Sequence, residues 1–464
     1  MVIVMEFYNR EEELKMLKER YASLKRGELI IIYGRRRVGK TTLIERFLGD
    51  IKRGVYSYID LSEKAEILKR ISEDFSEQRD TFLKFGDWDD VYEYIYRAGN
   101  GIVVVFDEFQ RLHAASPIAI TRLQYYWDMK LKDKPVMIIL LGSSIGMMKK
   151  VAMDGTAPLY GRATMIYKLR PFRYADMRKM FKAYSEREKI RIYTVFGGTP
   201  YYLSIFHDKN CDLFTGIEDI VLRSGAILRD EVPNLLRMEL KDVARYNSIL
   251  VSIAHGKHTL KEISDSTGID VTKLKYYIDV LKDLMDILEI RKPILGKKRT
   301  TKYIIKDNFF KFWYKYVFSN MSKLELGNYT DVINTIRKNI DTDAGFVFED
   351  IARELLITYN HRSIKGYKLD ISEIGSWWNR KGSEIDIVAI NRNKLLLGEV
   401  KWGKVDLDIA KGLIEKSNLI KWHGEKDFII FSGKGFTKRC ERFMEKNNIM
   451  HIDIHDIEYL FDNM

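Results

Sequence analysis

Cysteine, glutamine and long apolar runs are what this sequence has least of. Only two cysteines, Cys211 and Cys440, occur in 464 residues. Two thiols so far apart in sequence make neither a disulfide framework nor a cysteine zinc site, and a reducing cytoplasm is the expected setting. Glutamine is confined to Gln78, Gln110 and Gln124, whereas lysine is abundant, a balance that resembles a thermophile's composition. The longest apolar stretches, near Ile102–Phe106 and Val136–Leu141, have strand length and cannot span a bilayer. The start, Met1-Val2-Ile3-Val4-Met5, is too short for a signal peptide and has no basic lead-in. No internal repeat or low-complexity tract stands out. The expectation is a soluble cytoplasmic chain with no membrane contact, rather than a secreted or purely structural one.

What is present points to several buried cores. Hydrophobic residues make up 46% and aromatics 12%, which excludes whole-chain disorder. The length predicts about three domains. With 78 Lys+Arg against 66 Asp+Glu, the formal charge is +12, which favours polyanionic partners.

The first segment alternates strand and helix signals. Leu29–Tyr33, Gly101–Phe106 and Val136–Leu141 are continuous apolar runs, as strands buried on both faces of a parallel sheet would be. Between the first of these and a helical pattern over Lys40–Leu48 lies Gly34-Arg35-Arg36-Arg37-Val38-Gly39-Lys40-Thr41-Thr42. This matches the phosphate-loop pattern in its required strand-to-helix context. Glycines let successive backbone N–H groups turn around a phosphate, and the helix adds its positive end. Lys40 would reach the β- and γ-phosphates, and Thr41 would hold Mg²⁺. The second apolar strand ends in Asp107-Glu108. There Asp107 suits the Mg²⁺ role and Glu108 suits polarisation of the attacking water. Ser143, in Gly142-Ser143-Ser144 after the third strand, is either a γ-phosphate sensor or part of a plain turn. Arg162 is either an arginine finger or a surface ion-pair arginine. ATP and Mg²⁺ are therefore the expected ligands.

Together with Asn9-Arg10-Glu11-Glu12-Glu13-Leu14, Asp107-Glu108-Phe109-Gln110 and Gly197-Gly198-Thr199-Pro200, these motifs resemble the archaeal AAA-related ATPase family, whose domain is close to that of the signal-transducing ATPases with numerous domains. The resemblance covers roughly residues 5–230. It implies that Arg10 lies near the adenine and that Pro200 lies in a lid region near the nucleotide. It leaves open whether Arg35, Arg36 and Arg37 face nucleotide, solvent or nucleic acid.

A middle segment carries helical patterns over Ser248–Ala254, Leu260–Thr267 and Val271–Leu284, followed by strand signals at Ile287–Arg291 and Lys302–Ile305 around a basic turn. Three helices and a hairpin suggest a winged helix. Between Lys257 and Lys306 there are twelve basic and seven acidic residues. Lys273 and Lys275 on the recognition helix, with Lys297, Lys298 and Arg299 at the wing tip, are the DNA-contact candidates, and such contacts would be salt-dependent and sequence-blind. A connector or protein-contact role is the other reading.

The C-terminal segment opens with a helix over Phe346–Thr358. Strand signals follow at Glu384–Ile390, Leu395–Lys401, Asp427–Phe431 and Met450–Ile454, with a helix over Leu407–Leu419 between the second and third. A hairpin turning at Asn391–Lys394 sets Asp386 opposite Glu399, with Cβ atoms about 5 Å apart, and Lys401 shares their face. Two like charges at that spacing call for a cation between them. Two carboxylates and an ammonium suit Mg²⁺-assisted phosphodiester hydrolysis. This arrangement resembles the PD-(D/E)xK restriction-endonuclease-like superfamily over about 340–464. The resemblance implies Asp386 and Glu399 as metal ligands, Lys401 as a catalytic lysine and Glu349 as an added ligand from the opening helix. Ile385 stands where the named proline would. Trp377, Trp378 and Trp402 flank the strands, either as base platforms or as packing. His451 and His455 form no zinc site.

The expected architecture is α/β: a phosphate-loop ATPase domain with parallel sheet and lid over 1–212, a helical linker and winged helix over 213–330, and an endonuclease-like domain over 331–464. The expected function is an ATP-hydrolysing, nucleic-acid-processing protein with a metal-dependent nuclease-like domain, with DNA and a homo-oligomer or a partner protein as its expected partners. The alternative is an ATP-dependent switch or regulator that binds DNA or a partner without cutting.

Overall fold

A computed structural model describes residues 8–79, 82–296 and 300–464. The chain divides into two compact units. One comprises Met1–Pro171, Thr199–Tyr201 and Asp279–Asp286; the other comprises Phe172–Gly198, Tyr202–Ile278 and Ile287–Met464. This grouping differs from the boundaries expected at 212 and 330. Residues 172–198 join the C-terminal part, and 279–286 join the phosphate-loop part.

The first unit is built on five strands, β1 (Glu28–Tyr33), β2 (Gly54–Tyr58), β3 (Ile102–Asp107), β4 (Val136–Gly142) and β5 (Met165–Lys168). They pair in the order β2-β3-β4-β1-β5, all parallel. Alternate residues serve opposite faces. Leu29, Ile31, Val104, Phe106, Ile138 and Leu140 join Trp88 and Tyr92 in one core. Ile30, Ile32, Val103, Val105, Ile139 and Leu141 join Leu43 and Phe47 in the other. Two-sided burial is why β1, β3 and β4 read as unbroken apolar runs. The edge strands β2 and β5 are half-buried in part and carry no such signal.

In the second unit the helices Val243–Ala254, Leu260–Thr267 and Val271–Asp279 precede an antiparallel hairpin, β6 (Leu288–Arg291) and β7 (Lys302–Ile305). A two-rung ribbon, β8 (Ser363–Ile364) and β9 (Tyr367–Lys368), leads into the C-terminal sheet. That sheet has five strands, β10 (Ile371–Trp378), β11 (Glu384–Asn391), β12 (Lys394–Lys401), β13 (Lys426–Ser432) and β14 (Met450–Ile452), paired in chain order. The first three are antiparallel and the last three parallel. The helix Leu407–Ser417 makes the crossover from β12 to β13. The hairpin loop is tied to the edge strand: Ile294 N donates to Ser376 O at 2.9 Å, and Trp378 Nε1 donates to Thr300 O at 2.6 Å.

Two expectations are corrected here. The helix expected at Phe346–Thr358 begins at Tyr329 and runs 30 residues. Val332, Ile336, Ile340, Ala344, Val347 and Ile351 sit three or four apart and are all buried, so one apolar stripe carries the whole length. The strand expected at Met450–Ile454 stops at Ile452. The Asp453 carboxylate accepts from His455 N and Asp456 N, both at 2.9 Å, and starts a new helix, Ile454–Asp462.

Among the described residues no helix is long and apolar enough to cross a membrane.

Candidate functional site

The phosphate loop connects β1 to the helix Lys40–Leu48. Gly34 is required by close approach, because a Cβ there would lie 2.3 Å from Leu169 O. Gly39, at the helix N-cap, has φ +88°, where a side chain is strained. Val38 is buried beneath the loop. Arg10 braces it: one guanidinium nitrogen donates to Val38 O at 3.1 Å and to Arg170 O at 2.7 Å, and another pairs with Glu13 at 3.0 Å. Arg37, also at positive φ, lies over the Tyr201 ring at 4.1 Å, next to Pro200, which opens the helix Pro200–Lys209. Arg35 and Arg36 are half-buried, and Arg36 Nε has no hydrogen-bond partner.

Lys40 is buried, and its ammonium donates to Gly34 O at 2.8 Å and Arg35 O at 3.0 Å, inside its own loop. Thr41 Oγ1 donates to Asp107 Oδ2 at 3.0 Å, so the loop after β1 meets the end of β3. Thr42 follows, half-buried, in the helix's first turn. Asp107 also accepts from Tyr56 OH at 2.6 Å and from Glu108 N at 2.7 Å. Tyr56 titrates well above its ordinary range, first through burial and then through the Asp107 charge. Nothing in the sequence marks this tyrosine, because its role comes from the pairing of β2 with β3.

Glu108 is buried with φ +56°. Its Oε2 accepts from Ser143 Oγ at 2.7 Å and Gln110 Nε2 at 2.5 Å, with Arg111 at 3.7 Å. Ser143 thus reaches Glu108 across the strand ends. Arg162 donates to both Asp128 carboxylate oxygens, at 2.7–3.1 Å, and to the carbonyls of Pro158 and Tyr160. It is held as an ion-pair arginine, and the structure does not bring it to the loop.

A second constellation lies on the C-terminal sheet. The β11–β12 register runs from Asn391↔Lys394 to Ile387↔Gly398, so Asp386 and Glu399 are next in line. Both are buried. Lys401 Nζ sits between them, 3.1 Å from Asp386 Oδ2 and 2.9 Å from Glu399 Oε1. Burial alone would lower the Lys401 pKa, but Asp386 and Glu399 together raise it above the ordinary value. Asp386 Oδ2 also accepts from Val400 N at 2.8 Å. Glu399 Oε2 is buried without a hydrogen-bond partner. Glu349 lies within electrostatic reach of Asp386, and burial, then the Asp386 charge, push its carboxyl up to about 8. Behind it, Arg353 donates to Asp386 O at 2.8 Å and pairs with Asp350, which Arg291 also holds at 2.9 Å. Burial opposes ionisation of Asp350, yet the two arginines keep its pKa below the usual range. Lys416 Nζ also lies 2.9 Å from Glu399 Oε1, a contact that no local sequence signal marks because it joins a helix residue to a strand. Among the described residues no group of three or more His, Cys, Asp or Glu side chains is spaced to hold a metal ion.

The remaining sites are simpler. Lys273 and Lys275 are exposed on the helix Val271–Asp279, as are Thr272 and Tyr276. Lys297, Lys298 and Arg299 lie outside the described residues. Trp377, Trp378 and Trp402 are all buried, which is packing rather than a base platform.

A model of an ATPase domain predominantly from Archaea matches residues 7–206. A second, described as Archaea bacterial proteins of unknown function, matches residues 313–413. The uncharacterized protein MJECL04 of Methanocaldococcus jannaschii is 32% identical over 462 residues, covering 97% of this chain and 99% of that one. The chain belongs to the archaeal ATPase family. A further relative occurs in the same organism: the uncharacterized ATP-binding protein MJ0423 is 54% identical over 46 residues, 10% of this chain and 76% of that one. The fold of the ATPase is similar to that of the Walker-type ATPase PABY2304 of Pyrococcus abyssi, with a TM-score of 0.50 and 20% identity over 66% of this chain and 96% of that one. The chain is thus an ATP-binding phosphate-loop protein of mixed α/β fold.

Proposed function

We propose that the ATPase hydrolyses ATP with Mg²⁺ and uses it on nucleic acid, with the middle helices and hairpin contacting DNA and the C-terminal sheet acting as a metal-dependent nuclease. The observation that carries the first part is the Thr41–Asp107 hydrogen bond at 3.0 Å. It joins the two oxygens that a phosphate-bound Mg²⁺ requires, one directly and one through water. Mg²⁺ neutralises charge on the transferring phosphoryl group. Lys40 would leave its loop carbonyls for the phosphates. Glu108, oriented by Ser143 and Gln110, would position the attacking water. The test is phosphate release with Lys40→Ala as control; turnover at the wild-type rate in that variant sinks the reading.

The nuclease reading rests on Glu399 Oε2, a buried acceptor without a donor, beside Asp386. A divalent cation fits such a donor set. Asp386 and Glu399 would hold it, and it would supply charge neutralisation and an activated water. The mixed sheet with a crossover helix after β12 supports the endonuclease-like fold, and three helices with a hairpin support the winged helix. Exposed Lys273 and Lys275 suit a phosphate backbone. Mn²⁺-dependent cutting of duplex DNA, lost in Asp386→Ala, is the expected result. A second reading, a switch that binds DNA or a partner without cutting, has its own support: Lys401 and Lys416 already neutralise both acids.

A further inference from the structure

Lys416 stands near the end of the helix Leu407–Ser417, and its ammonium reaches Glu399 Oε1 at 2.9 Å. That same oxygen is 2.9 Å from Lys401 Nζ. Two ammonium groups therefore converge on one oxygen, and the other, Oε2, has no partner. The Glu399 side chain is 6% exposed and that of Lys416 is 36%, so the lysine approaches from the open side of a buried carboxylate. The two lysines are not equivalent. Lys401 is a strand residue held by both acids, whereas the ion pair of Lys416 is with Glu399 alone. Four unit charges, two of each sign, cancel as the site stands. A divalent cation entering beside Oε2 would meet two ammonium groups already in place, and like charges at this range repel strongly where water is excluded. Both lysine side chains are 36% exposed, so the group that yields is the one with a single carboxylate partner, Lys416.

We infer that Lys416 is the displaceable counter-ion of the carboxylate site: its ammonium competes with a divalent cation for Glu399 and, once displaced, faces the phosphodiester at the site's open side. The inference rests on reading Asp386 and Glu399 as cation ligands, and it also explains how charge-neutralised acids remain compatible with that reading. No bond is made or broken by Lys416; it exchanges one ionic partner for another.

The test uses the full-length, nucleotide-free protein. Mn²⁺ binding is followed by electron paramagnetic resonance of the free ion, and the site is defined as the binding lost in Asp386→Ala. Lys416→Met keeps the stem and removes the charge. It should tighten Mn²⁺ binding at this site about three- to tenfold, whereas Lys416→Arg stays within about twofold of wild type. In the presence of Ca²⁺, Lys416→Met should bind duplex DNA several-fold more weakly, and in chelator the two should bind alike. If Lys416→Met melts early, Lys416→Gln is measured in its place. Unchanged or weaker Mn²⁺ binding in the neutral variants overturns the inference and leaves the metal reading intact. No binding sensitive to Asp386→Ala in wild type or in the neutral variants overturns both. DNA affinity in Ca²⁺ that ignores the substitution removes the phosphodiester role.

Discussion

At the phosphate loop, Thr41 Oγ1 donates to Asp107 Oδ2 at 3.0 Å, and Lys40 rests on the backbone carbonyls of its own loop. At the carboxylate site, Lys401 and Lys416 rest on the acids themselves. The first arrangement is made of backbone geometry. Gly34 and Gly39 shape a loop whose backbone carbonyls hold the Lys40 ammonium. The second is made of side-chain charge in a buried setting, where each acid needs a cation and removing one leaves the rest uncompensated. A contiguous loop can be recognised from eight consecutive letters. A charge cluster assembled from β11, β12 and two helices is visible only in part.

The comparison is broken most directly by exchanging the knock-outs. Lys40→Ala should lower ATP turnover by about a hundredfold or more and leave Mn²⁺-dependent cleavage of DNA intact, and Asp386→Ala should do the reverse. Measured on the same preparations by phosphate release and by cleavage of labelled duplex, any cross-effect larger than about threefold would show that the two sites are not separate machines.

Charge in the second unit should also appear in its pH dependence. Glu354, on the same long helix as Glu349, accepts from Tyr174 N and Ala175 N, yet burial pushes its carboxyl up to about 7. An acid whose folded pKa lies above its unfolded value of about 4.3 is protonated preferentially in the fold. Stability is therefore full below that value and declines as pH rises through 7. Thermal melts should show wild type losing on the order of 3 kcal/mol relative to Glu354→Gln between about pH 4.5 and 7.5. Parallel profiles would remove the effect.

Gly34→Ala sharpens the backbone side of the comparison. Its Cβ would fall 2.3 Å from Leu169 O, so the loop must shift. Calorimetric titration should show ATP affinity about tenfold weaker, with the C-terminal cleavage unchanged. The smallest expected effect is that of Tyr56→Phe, which removes a donor at 2.6 Å from Asp107. Turnover should fall only about two- to fivefold, with a shifted Mg²⁺ dependence, because Thr41 and Glu108 N still hold the carboxylate.

Legibility followed the range of the interactions. Three central strands, the loop, and Asp107-Glu108 were readable because two-sided burial and a tight turn write themselves into neighbouring residues. The edge strands β2, β5 and β10 carry weaker patterns, and β10 went unseen although it holds Trp377 and Trp378 in the core. The long helix was read from Phe346 onward because its first half carries many exposed polar residues around a narrow apolar stripe. The opposition of Asp386 and Glu399 followed from the period-two hairpin alone. Their surroundings did not: Arg353, which donates to the Asp386 carbonyl, lies far from it in sequence, and Lys416 arrives at Glu399 on a crossover helix.

By itself the sequence determined that this chain has a phosphate loop between a buried strand and a helix, an acid pair at the end of a second buried strand, and two acids with a lysine on one hairpin face. These depend on local turns and on side-chain periodicity, which a few adjacent residues set. Tertiary structure alone decided that Tyr56 and Thr41 share Asp107, that Arg162 is spent on Asp128, and that two lysines meet at one oxygen of Glu399. Those contacts join residues brought together by strand order and helix packing, and they are chosen by the free energy of the whole fold rather than by any short stretch of it.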